Sequence, residues 1–466
     1  MRSLGIKPKL IPVLDKEFMP ISLINRAYRN KLSQYKDSID IKIALERESG
    51  FIYTYSIKVF PENSGMDEEN LLYIERIVKT LLWTRGGWKL TIGGSGSIGE
   101  YISKLYSQGG AREFDANFMS RVYEKKFTVE IVDLKEVPDS RGSEKSLGRH
   151  MKGCRIGIDL GGSRKKVSAV IDGEVVFTDD ALWQPKTTDD PDYHYREIIS
   201  IIKKAAQKLP RVDALGISSA GIIVNNRIMI SSLFLEVKED VFDAKVKDIF
   251  KSIDNELGGI PFEAANDGDA AALAGAMALN SQKVLGISMG TSQAGGYVDG
   301  GGNVTGWLNE LAFVPVDYNA MSMVDEWSGD YGCGIKYLSQ DAVIKLAPAA
   351  GIDLTPYLLP SQKLQVVQEL LQSGDRSAIQ IFETIGCYLG YAIAHYSDFY
   401  DIDYAYVLGG VMADNGGSII LENASKVLTV EFPDLAQKIK LAVPEESTIK
   451  LGQSIAAASL PKLSFD

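Results

Sequence analysis

The residues best suited to chemistry begin with a glycine-rich turn that follows a carboxylate. An apolar strand, RIGID, ends at Asp159. The turn after it consists of small and basic residues, which are Gly161, Gly162, Ser163 and Arg164. Backbone N–H groups at paired glycines approach an anion without hindrance from a Cβ atom, and a carboxylate beside them suits Mg²⁺ held partly through water. The pattern predicts a phosphate site with a magnesium ligand, and a plain hairpin loop is the alternative interpretation.

Two later strands also end in glycine turns. In VLGISMGTSQAGGYV, the first strand leads into Gly290, Thr291 and Ser292. In YAYVLGGVM, the strand ends at Gly409 and Gly410, where the backbone can lie flat against a planar base. If the turn at residues 290–292 faces the first turn at residues 161–164, the two strand–turn–strand units would hold a polyphosphate from both sides. By itself, the first of these segments is also consistent with an ordinary hairpin.

An amide and a carboxylate lie where a strand gives way to an alanine-rich helix, in PFEAANDGDAAALAGAMAL. Asn266 and Asp267 fall at that junction, where a side chain points into a cleft. A carboxylate there can accept the proton of a substrate hydroxyl, which is the role of the general base in phosphoryl transfer. The alternative interpretation is an Asx helix cap, with Asp269 as the capping residue.

Strands that alternate with helices must position these residues, which indicates α/β architecture. Strand, strand, helix and strand patterns follow one another over residues 153–265, and glycine-rich strand pairs are mixed with long amphipathic helices over residues 266–466. Asp172 and Gly173 are the signal of a hairpin turn. The polar, glycine-containing segment 141–152 is predicted to be a linker. We expect the first and second of these long segments to be the N-terminal and C-terminal lobes of one catalytic body.

Residues 1–140 are predicted to form a separate accessory α/β module. Two strand-like runs, DIKIALE and FIYTYSIKVF, precede the helical pattern EENLLYIERIVKTLLW. No helix-turn-helix pattern is visible. The glycines of GGSGSIG have the spacing of a dinucleotide-binding fingerprint, but the stretch that follows, QGGAREFDANF, is not an apolar strand ending in an acid. We therefore expect a module that packs on the rest of the chain or makes a dimer contact.

The composition is that of a globular protein with two or three domains. The chain has 466 residues, a net charge of −11 and three scattered cysteines, too few for a disulfide framework. Residues 1–150 carry 24 Lys and Arg against 20 Asp and Glu, and the remainder carries 26 against 41, which argues against a broad nucleic-acid surface. No apolar run approaches the roughly 18 residues of a membrane span, and no signal-peptide pattern is present. We expect a cytoplasmic protein without nucleic-acid or membrane partners.

In their order along the chain, the motifs resemble those of the sugar kinase, acetate kinase and actin superfamily, and within it the bacterial ROK family (repressors, open reading frames and kinases). The resemblance covers about residues 153–461. The motifs that carry it are DLGGS (159–163), GISSAGIIV (216–224), NDGDAAALAGA (266–276), GTSQAGGYV (290–298), GWLNELAF (306–313), VLGGVM (407–412) and LGQSIAAASL (451–460). DLGGS and GTSQAGGYV are similar to the first and second phosphate motifs, and NDGDAAALAGA is similar to the Asn-Asp segment. GISSAGIIV is similar to the loop after the third strand, and GWLNELAF to the substrate motif. VLGGVM is similar to the adenosine motif, and LGQSIAAASL to the closing helix.

The resemblance implies a two-lobed, actin-like (ribonuclease H-like) fold with a cleft. It also implies an ATP-dependent, glucokinase-like sugar kinase that phosphorylates a hydroxyl of a sugar or similar polyol. Asp267 would be the catalytic base, and Asn266 and Glu310 would bind sugar hydroxyls. Residues of the glycine turns would surround ATP and Mg²⁺: Gly161, Gly162, Ser163, Arg164, Gly290, Thr291 and Ser292 at the phosphates, Gly409 and Gly410 at the base, and Asp159 at the metal. Homodimers are common in the family, and the sequence leaves the oligomeric state open.

The chain departs from the family pattern at its zinc and sugar sites. Phe313 stands where the family has a zinc-binding histidine, and only Cys333 remains of a Cys-x-Cys-Gly-x-x-Gly-Cys run. A structural zinc takes four ligands, so we predict no structural zinc. The missing histidine also contacts the sugar in the family, and Ile335 replaces a following glutamate. Two alternatives therefore stay open: a sugar-sensing regulator without catalysis, and a phosphotransferase with a non-sugar acceptor.

Overall fold

The computed structural model describes residues 6–142 and 147–464. The strands are β1 (Ile39–Glu46), β2 (Ile52–Val59), β3 (Lys89–Gly93), β4 (Thr128–Val132), β5 (Cys154–Leu160), β6 (Arg164–Ile171), β7 (Glu174–Leu182), β8 (Ala214–Ser219), β9 (Ile222–Val224), β10 (Arg227–Ile230), β11 (Phe262–Asn266), β12 (Val284–Met289), β13 (Gln293–Val298), β14 (Tyr404–Leu408) and β15 (Lys440–Ala442). The α-helices are α1 (Ile21–Leu32), α2 (Asp67–Arg85), α3 (Gly96–Leu105), α4 (Glu113–Tyr123), α5 (Pro191–Ala206), α6 (Glu239–Val241), α7 (Ile249–Glu256), α8 (Asp267–Ala278), α9 (Gln340–Leu346), α10 (Pro360–Gln372), α11 (Arg376–Tyr396), α12 (Asn415–Glu431), α13 (Pro433–Lys438) and α14 (Glu446–Ala458).

The N-terminal module contains a four-stranded sheet in the order β2-β1-β3-β4, in which only β3 and β4 are parallel neighbours. The sequence did not predict a strand ending in an acid after GGSGSIG, yet β4 lies beside β3 and is followed by Asp133. The sequence of β4 shows no continuous apolar run because β4 is an edge strand with partly exposed side chains. At the start of α3, the hydroxyls of Ser95 and Ser97 donate to the carboxylate of Glu62, each at 2.9 Å. The chain's own carboxylate therefore lies at this helix N-terminus.

The N-terminal lobe is built on a five-stranded sheet in the order β11-β8-β5-β6-β7. The predicted hairpin between β6 and β7 is present, and Asp172 (φ 48°) and Gly173 (φ 90°) both adopt the positive φ of a type I′ turn. Helix α14 returns from the end of the chain and packs on β5 and β8. A Cβ atom on Gly157 or Gly216 would lie within 2 Å of an α14 carbonyl oxygen, so glycine at these strand positions permits the close approach.

The C-terminal lobe contains a four-stranded sheet in the order β13-β12-β14-β15, with β12, β14 and β15 parallel. Its buried side chains form one continuous core with those of the N-terminal module, including Tyr28, Trp83, Leu311 and Tyr391. The N-terminal lobe has a separate core around Ile158. The predicted two-lobed, actin-like α/β fold is thus confirmed, with the N-terminal module packed on the second lobe.

The division of the chain at residues 140, 152 and 265 stays a prediction, and residues 143–146 of the predicted linker lie outside the described residues. Within residues 6–142 and 147–464, none of the helices has the length and hydrophobicity that crossing a membrane requires.

Candidate functional site

The junction between strand and helix lies where the sequence predicted it, with Asn266 as the last residue of β11 and Asp267 as the first of α8. The Asn266 side chain accepts a hydrogen bond from the Gly268 amide at 2.7 Å and donates one to the Gly221 carbonyl oxygen at 2.7 Å. Asn266 is therefore the helix cap, and the interpretation of Asp269 as the capping residue was wrong. Asp269 is instead buried, and its carboxylate accepts a hydrogen bond from the Asn309 side chain at 2.9 Å. Because Asn266 caps the helix, the Asp267 carboxylate is not required for that task.

The two junction residues open into different cavities. Asp267 lines a cavity of about 830 Å³, together with Ser288, Gly409, Gly410 and other residues of the C-terminal lobe. Asn266 lines a second cavity of about 90 Å³, which it shares with Glu310. The site therefore has a large and a small compartment, which are lined by adjacent residues of this junction.

Burial and neighbouring acids perturb the carboxyl groups at this point. Burial, followed by the charge of Asp159, raises the pKa of Asp267 to about 6, although backbone hydrogen bonds and Lys186 oppose the shift. Burial also raises the pKa of Glu310 to about 8, with further contributions from Asp267 and Asp269. At neutral pH Asp267 is then mostly ionised and Glu310 mostly protonated. Asp267 can therefore accept a proton, and Glu310 can donate a hydrogen bond.

The first glycine turn connects β5 to β6. The Trp183 indole donates a hydrogen bond to the Gly161 carbonyl oxygen at 2.8 Å, and the Trp183 amide donates one to Ser163 at 3.1 Å. Gly162 and Ser163 are exposed, so this part of the turn is accessible to a ligand. The guanidinium of Arg164, by contrast, pairs with Asp180 on β7 at 2.8 Å.

Lys186 lies over the same turn, and sequence analysis did not single it out. A Cβ atom built on Gly162 would be 3.0 Å from the Lys186 Nζ atom. The positive charge of Lys186 also lowers the pKa of Asp267, so the charge acts on the junction as well as lying over the turn. No sequence signal marks Lys186, because it belongs to a single short 3₁₀ turn (Pro185–Thr187) that only the fold brings to the glycine turn.

The second and third glycine turns lie side by side because β12 and β14 are parallel neighbours. Gly409 has φ 109°, and a Cβ atom there would lie 2.5 Å from the Met289 carbonyl oxygen, so the position requires glycine. The Gly290 carbonyl oxygen accepts a hydrogen bond from the Gln340 amide at 2.9 Å. Thr291 and Ser292 are exposed, and the residues lining the large cavity include Gly409 and Gly410 but none of the three residues 290–292.

Asp159 lies buried at the end of β5, where its carboxylate accepts a hydrogen bond from the Ser218 hydroxyl at 2.8 Å. Lys166 lies 4.0 Å away. Burial raises the pKa of this carboxyl, and Ser218 and Lys166 oppose the shift. Within the described parts of the chain, no three His, Cys, Asp or Glu side chains form a group that could hold a metal ion. A Mg²⁺ bound with phosphates needs only one or two carboxylates, which Asp159 fits.

The residues at the expected zinc position do not fit that metal. Phe313 is packed on Trp83, with ring centroids 4.2 Å apart. Cys333 is buried and is the one cysteine left of the expected run, and a single thiolate does not make a structural zinc site. The neighbouring Asp330 is occupied by three buried cations. These donors cannot supply the four-ligand set of a structural zinc.

The small cavity also contains residues of the N-terminal module that the sequence did not reveal. Arg47, Phe51 and Tyr123 line it together with the two lobes. The Arg47 guanidinium donates to the Gly306 carbonyl oxygen at 2.8 Å, within the segment that precedes Glu310. The sequence carries no signal for these residues because the contacts join distant positions, with Arg47 and Gly306 separated by 259 residues.

A model of the ROK family matches residues 155–458. The structure is similar to the ROK hexokinase of Thermus thermophilus, with a TM-score of 0.52 and 18% identity over 66% of this chain and 97% of that chain. It is also similar to a ROK family transcriptional regulator described as a homologue of the E. coli MLC protein, with a TM-score of 0.51 and 19% identity over 66% and 78% of the two chains. No curated protein sequence matches the chain significantly. At such identities the structural likeness shows the fold.

Proposed function

The chain belongs to the ROK family, and we propose that it is an ATP-dependent phosphotransferase acting on a hydroxyl of a sugar or similar polyol. The observation that carries the proposal is the junction of Asn266 and Asp267. Asp267 lines the large cavity and Asn266 lines the small one. A nucleotide in the first and an acceptor in the second would bring their reacting groups together at Asp267.

The acceptor would be held in the small cavity by polar groups, next to one carboxyl group that is protonated and one that is ionised. Glu310, protonated at neutral pH, donates a hydrogen bond to one acceptor hydroxyl, and the Asn266 side chain contacts another. Asp267 accepts the proton of the hydroxyl that is phosphorylated, because its pKa of about 6 leaves it ionised but more basic than an ordinary aspartate. Positioning and charge stabilisation supply most of the catalysis in such reactions.

The nucleotide would occupy the large cavity, with Gly409 and Gly410 against the base. The exposed backbone of Gly162 and Ser163 faces the phosphates, and Lys186 supplies a positive charge over the same turn. Asp159 would hold Mg²⁺, which when bound neutralises phosphate charge. The turn at residues 290–292 would contact the phosphates from the other side.

A second candidate function is ligand sensing without catalysis. The small cavity measures only about 90 Å³, and side chains of the N-terminal module line part of it. The chain also lacks the histidine of the family's substrate motif. A phosphotransferase with a non-sugar acceptor is the third candidate. The absence of nucleic-acid and membrane partners, the cytoplasmic location and a homodimer stay predictions.

A coupled assay of ADP release over a panel of sugars and polyols tests the proposal. We expect at least one acceptor to stimulate the wild type, and Asp267→Asn to lower that rate by roughly 100-fold or more while nucleotide binding persists. Asp353→Asn, a change at an exposed loop acid outside both cavities, is the matched control and should act as wild type. Ligand-induced stabilisation without turnover by any acceptor would favour the sensor instead.

A further inference from the structure

The segment that carries Glu310 is attached to the end of α2 in the N-terminal module. The Asn309 amide donates to the Thr84 carbonyl oxygen at 3.1 Å, and the Glu310 amide donates to that of Trp83 at 2.9 Å. Because α2 ends at Arg85, these carbonyls belong to its last turn and have no partner within the helix. The backbone of the Glu310 segment therefore caps α2, and the direction of that helix determines where Glu310 lies.

Aromatic packing fixes the next residues to the same helix. The Phe313 ring lies on the Trp83 ring at 4.2 Å, and the Trp83 indole donates a hydrogen bond to Asp115 at 3.1 Å. The Phe114 and Phe118 rings of α4 complete the contact around Phe313. An apolar stack thus occupies the position of the family's histidine.

Beside this stack lies a group of buried charged side chains, which we name the α2 ion cluster: Glu75, Arg76, Lys79, Arg112, Asp115 and Asp330. It contains three cations and three anions, so it is formally neutral. All three cations contact the Asp330 carboxylate, at 2.7 Å for Arg76 and 2.9 Å each for Lys79 and Arg112. Burial opposes ionisation of Asp330, but these charges outweigh it and hold the pKa of its carboxyl well below the usual range.

The cluster connects the N-terminal module to the Glu310 segment by a second route. Asp330 lies just before the segment Gly332–Gly334 in the chain. The Val316 amide donates to the Gly332 carbonyl oxygen at 2.8 Å, and the Gly334 amide donates to that of Val314 at 2.9 Å. The turn that Asp330 anchors is thereby paired with the chain just after Phe313. The Glu310 segment is held at one end by α2 and at the other by a turn that the ion cluster ties to α2.

We propose that the α2 ion cluster replaces a structural zinc in this protein, and that Arg76 and Lys79 are positioning residues that act on Glu310 through Asp330 and α2. The N-terminal module is then a required part of the acceptor site. The link to acceptor binding rests on the function proposed above, whereas the positioning of the Glu310 segment does not.

Hydrogen–deuterium exchange of the ligand-free protein tests the positioning directly. Arg76→Lys keeps the charge but loses the two-point contact of the guanidinium with Asp330. We expect exchange of residues 306–316 to be roughly tenfold faster in this variant. The matched control is Arg29→Lys, because Arg29 makes a similar two-point contact with Asp398, also between the module and the C-terminal lobe. It should leave exchange of that segment unchanged.

A second variant guards against a change in overall folding. Lys79→Met combined with Asp115→Asn removes one cation and one anion, so the cluster stays neutral. It should also accelerate exchange at residues 306–316 while the core helix α11 remains protected. Unchanged exchange in both cluster variants, or an equal effect of Arg29→Lys, would overturn the proposal.

Kinetics and metal content supply independent readouts. We expect Arg76→Lys to raise the acceptor KM by roughly tenfold, with kcat within about twofold and nucleotide affinity unchanged. A fall in kcat with KM unchanged would contradict positioning of Glu310. If the wild type phosphorylates no acceptor, the proposed function fails, and the exchange data still decide this inference. One zinc per purified chain, whose removal accelerates exchange at residues 306–316, would also overturn it.

Discussion

Two carboxyl groups should give the reaction a bell-shaped dependence on pH. Burial, with the charge of Asp159, raises the pKa of Asp267 to about 6, and burial with two neighbouring acids raises that of Glu310 to about 8. Asp267 must be ionised to accept a proton, and Glu310 must be protonated to donate a hydrogen bond. We therefore expect kcat/KM to rise through a limb near pH 6 and to fall through a limb near pH 8.

The size of the fall in kcat/KM at high pH follows from the ionisation of Glu310. With a pKa of about 8, roughly nine in ten Glu310 carboxyls are protonated at pH 7 and roughly one in ten at pH 9. Between these values kcat/KM should fall by roughly tenfold. Glu310→Gln fixes a neutral side chain of the same shape. It should retain most of the activity at pH 7, keep the lower limb and lose the upper one.

The assay is ADP release at subsaturating acceptor from pH 5 to pH 10. Asp269→Asn is the matched control, because Asp269 helps to raise the pKa of Glu310. Its removal should move the upper limb to lower pH without abolishing it. If Glu310→Gln shows the same upper limb as the wild type, another group sets that limb and the reasoning is refuted.

Three further predictions concern the nucleotide side of the site. Gly409→Ala should lower both Tm and nucleotide affinity, because its φ of 109° and the adjacent carbonyl leave no room for a side chain. Gly96→Ala, in helix α3 with open space around its Cβ, should lower neither, as thermal melting with and without nucleotide will measure for both variants. Lys186→Ala should raise the KM for ATP by roughly tenfold. Arg164→Ala should raise it by less than about twofold, since Asp180 already pairs with Arg164. Equal effects of the two variants on this KM would contradict the assignment of Lys186 to the phosphates. Asp159→Asn should raise the Mg²⁺ concentration needed for half-maximal activity, measured by titration at fixed ATP, and an unchanged requirement would remove Asp159 from the metal site.

Features that depend on neighbours in the sequence were predictable from it. The hairpin at Asp172 and Gly173 follows from residues that tolerate positive φ, and the start of α8 follows from an Asn-Asp pair before an alanine-rich run. The identity of the helix cap was not predictable, because both Asn266 and Asp269 can cap a helix and tertiary contacts made the choice. Asp269 is buried against Asn309, which leaves Asn266 to cap α8.

The sequence by itself determined the fold class, the order of the glycine turns and the family. Each of these depends on short patterns, such as an apolar strand that ends at a glycine pair. Only the tertiary structure decided that the N-terminal module shares a core with the C-terminal lobe, that Lys186 covers the first turn, and that the pKa of Glu310 is raised. Burial and charge at a point depend on side chains from distant parts of the chain, and no local pattern encodes which of them will meet there.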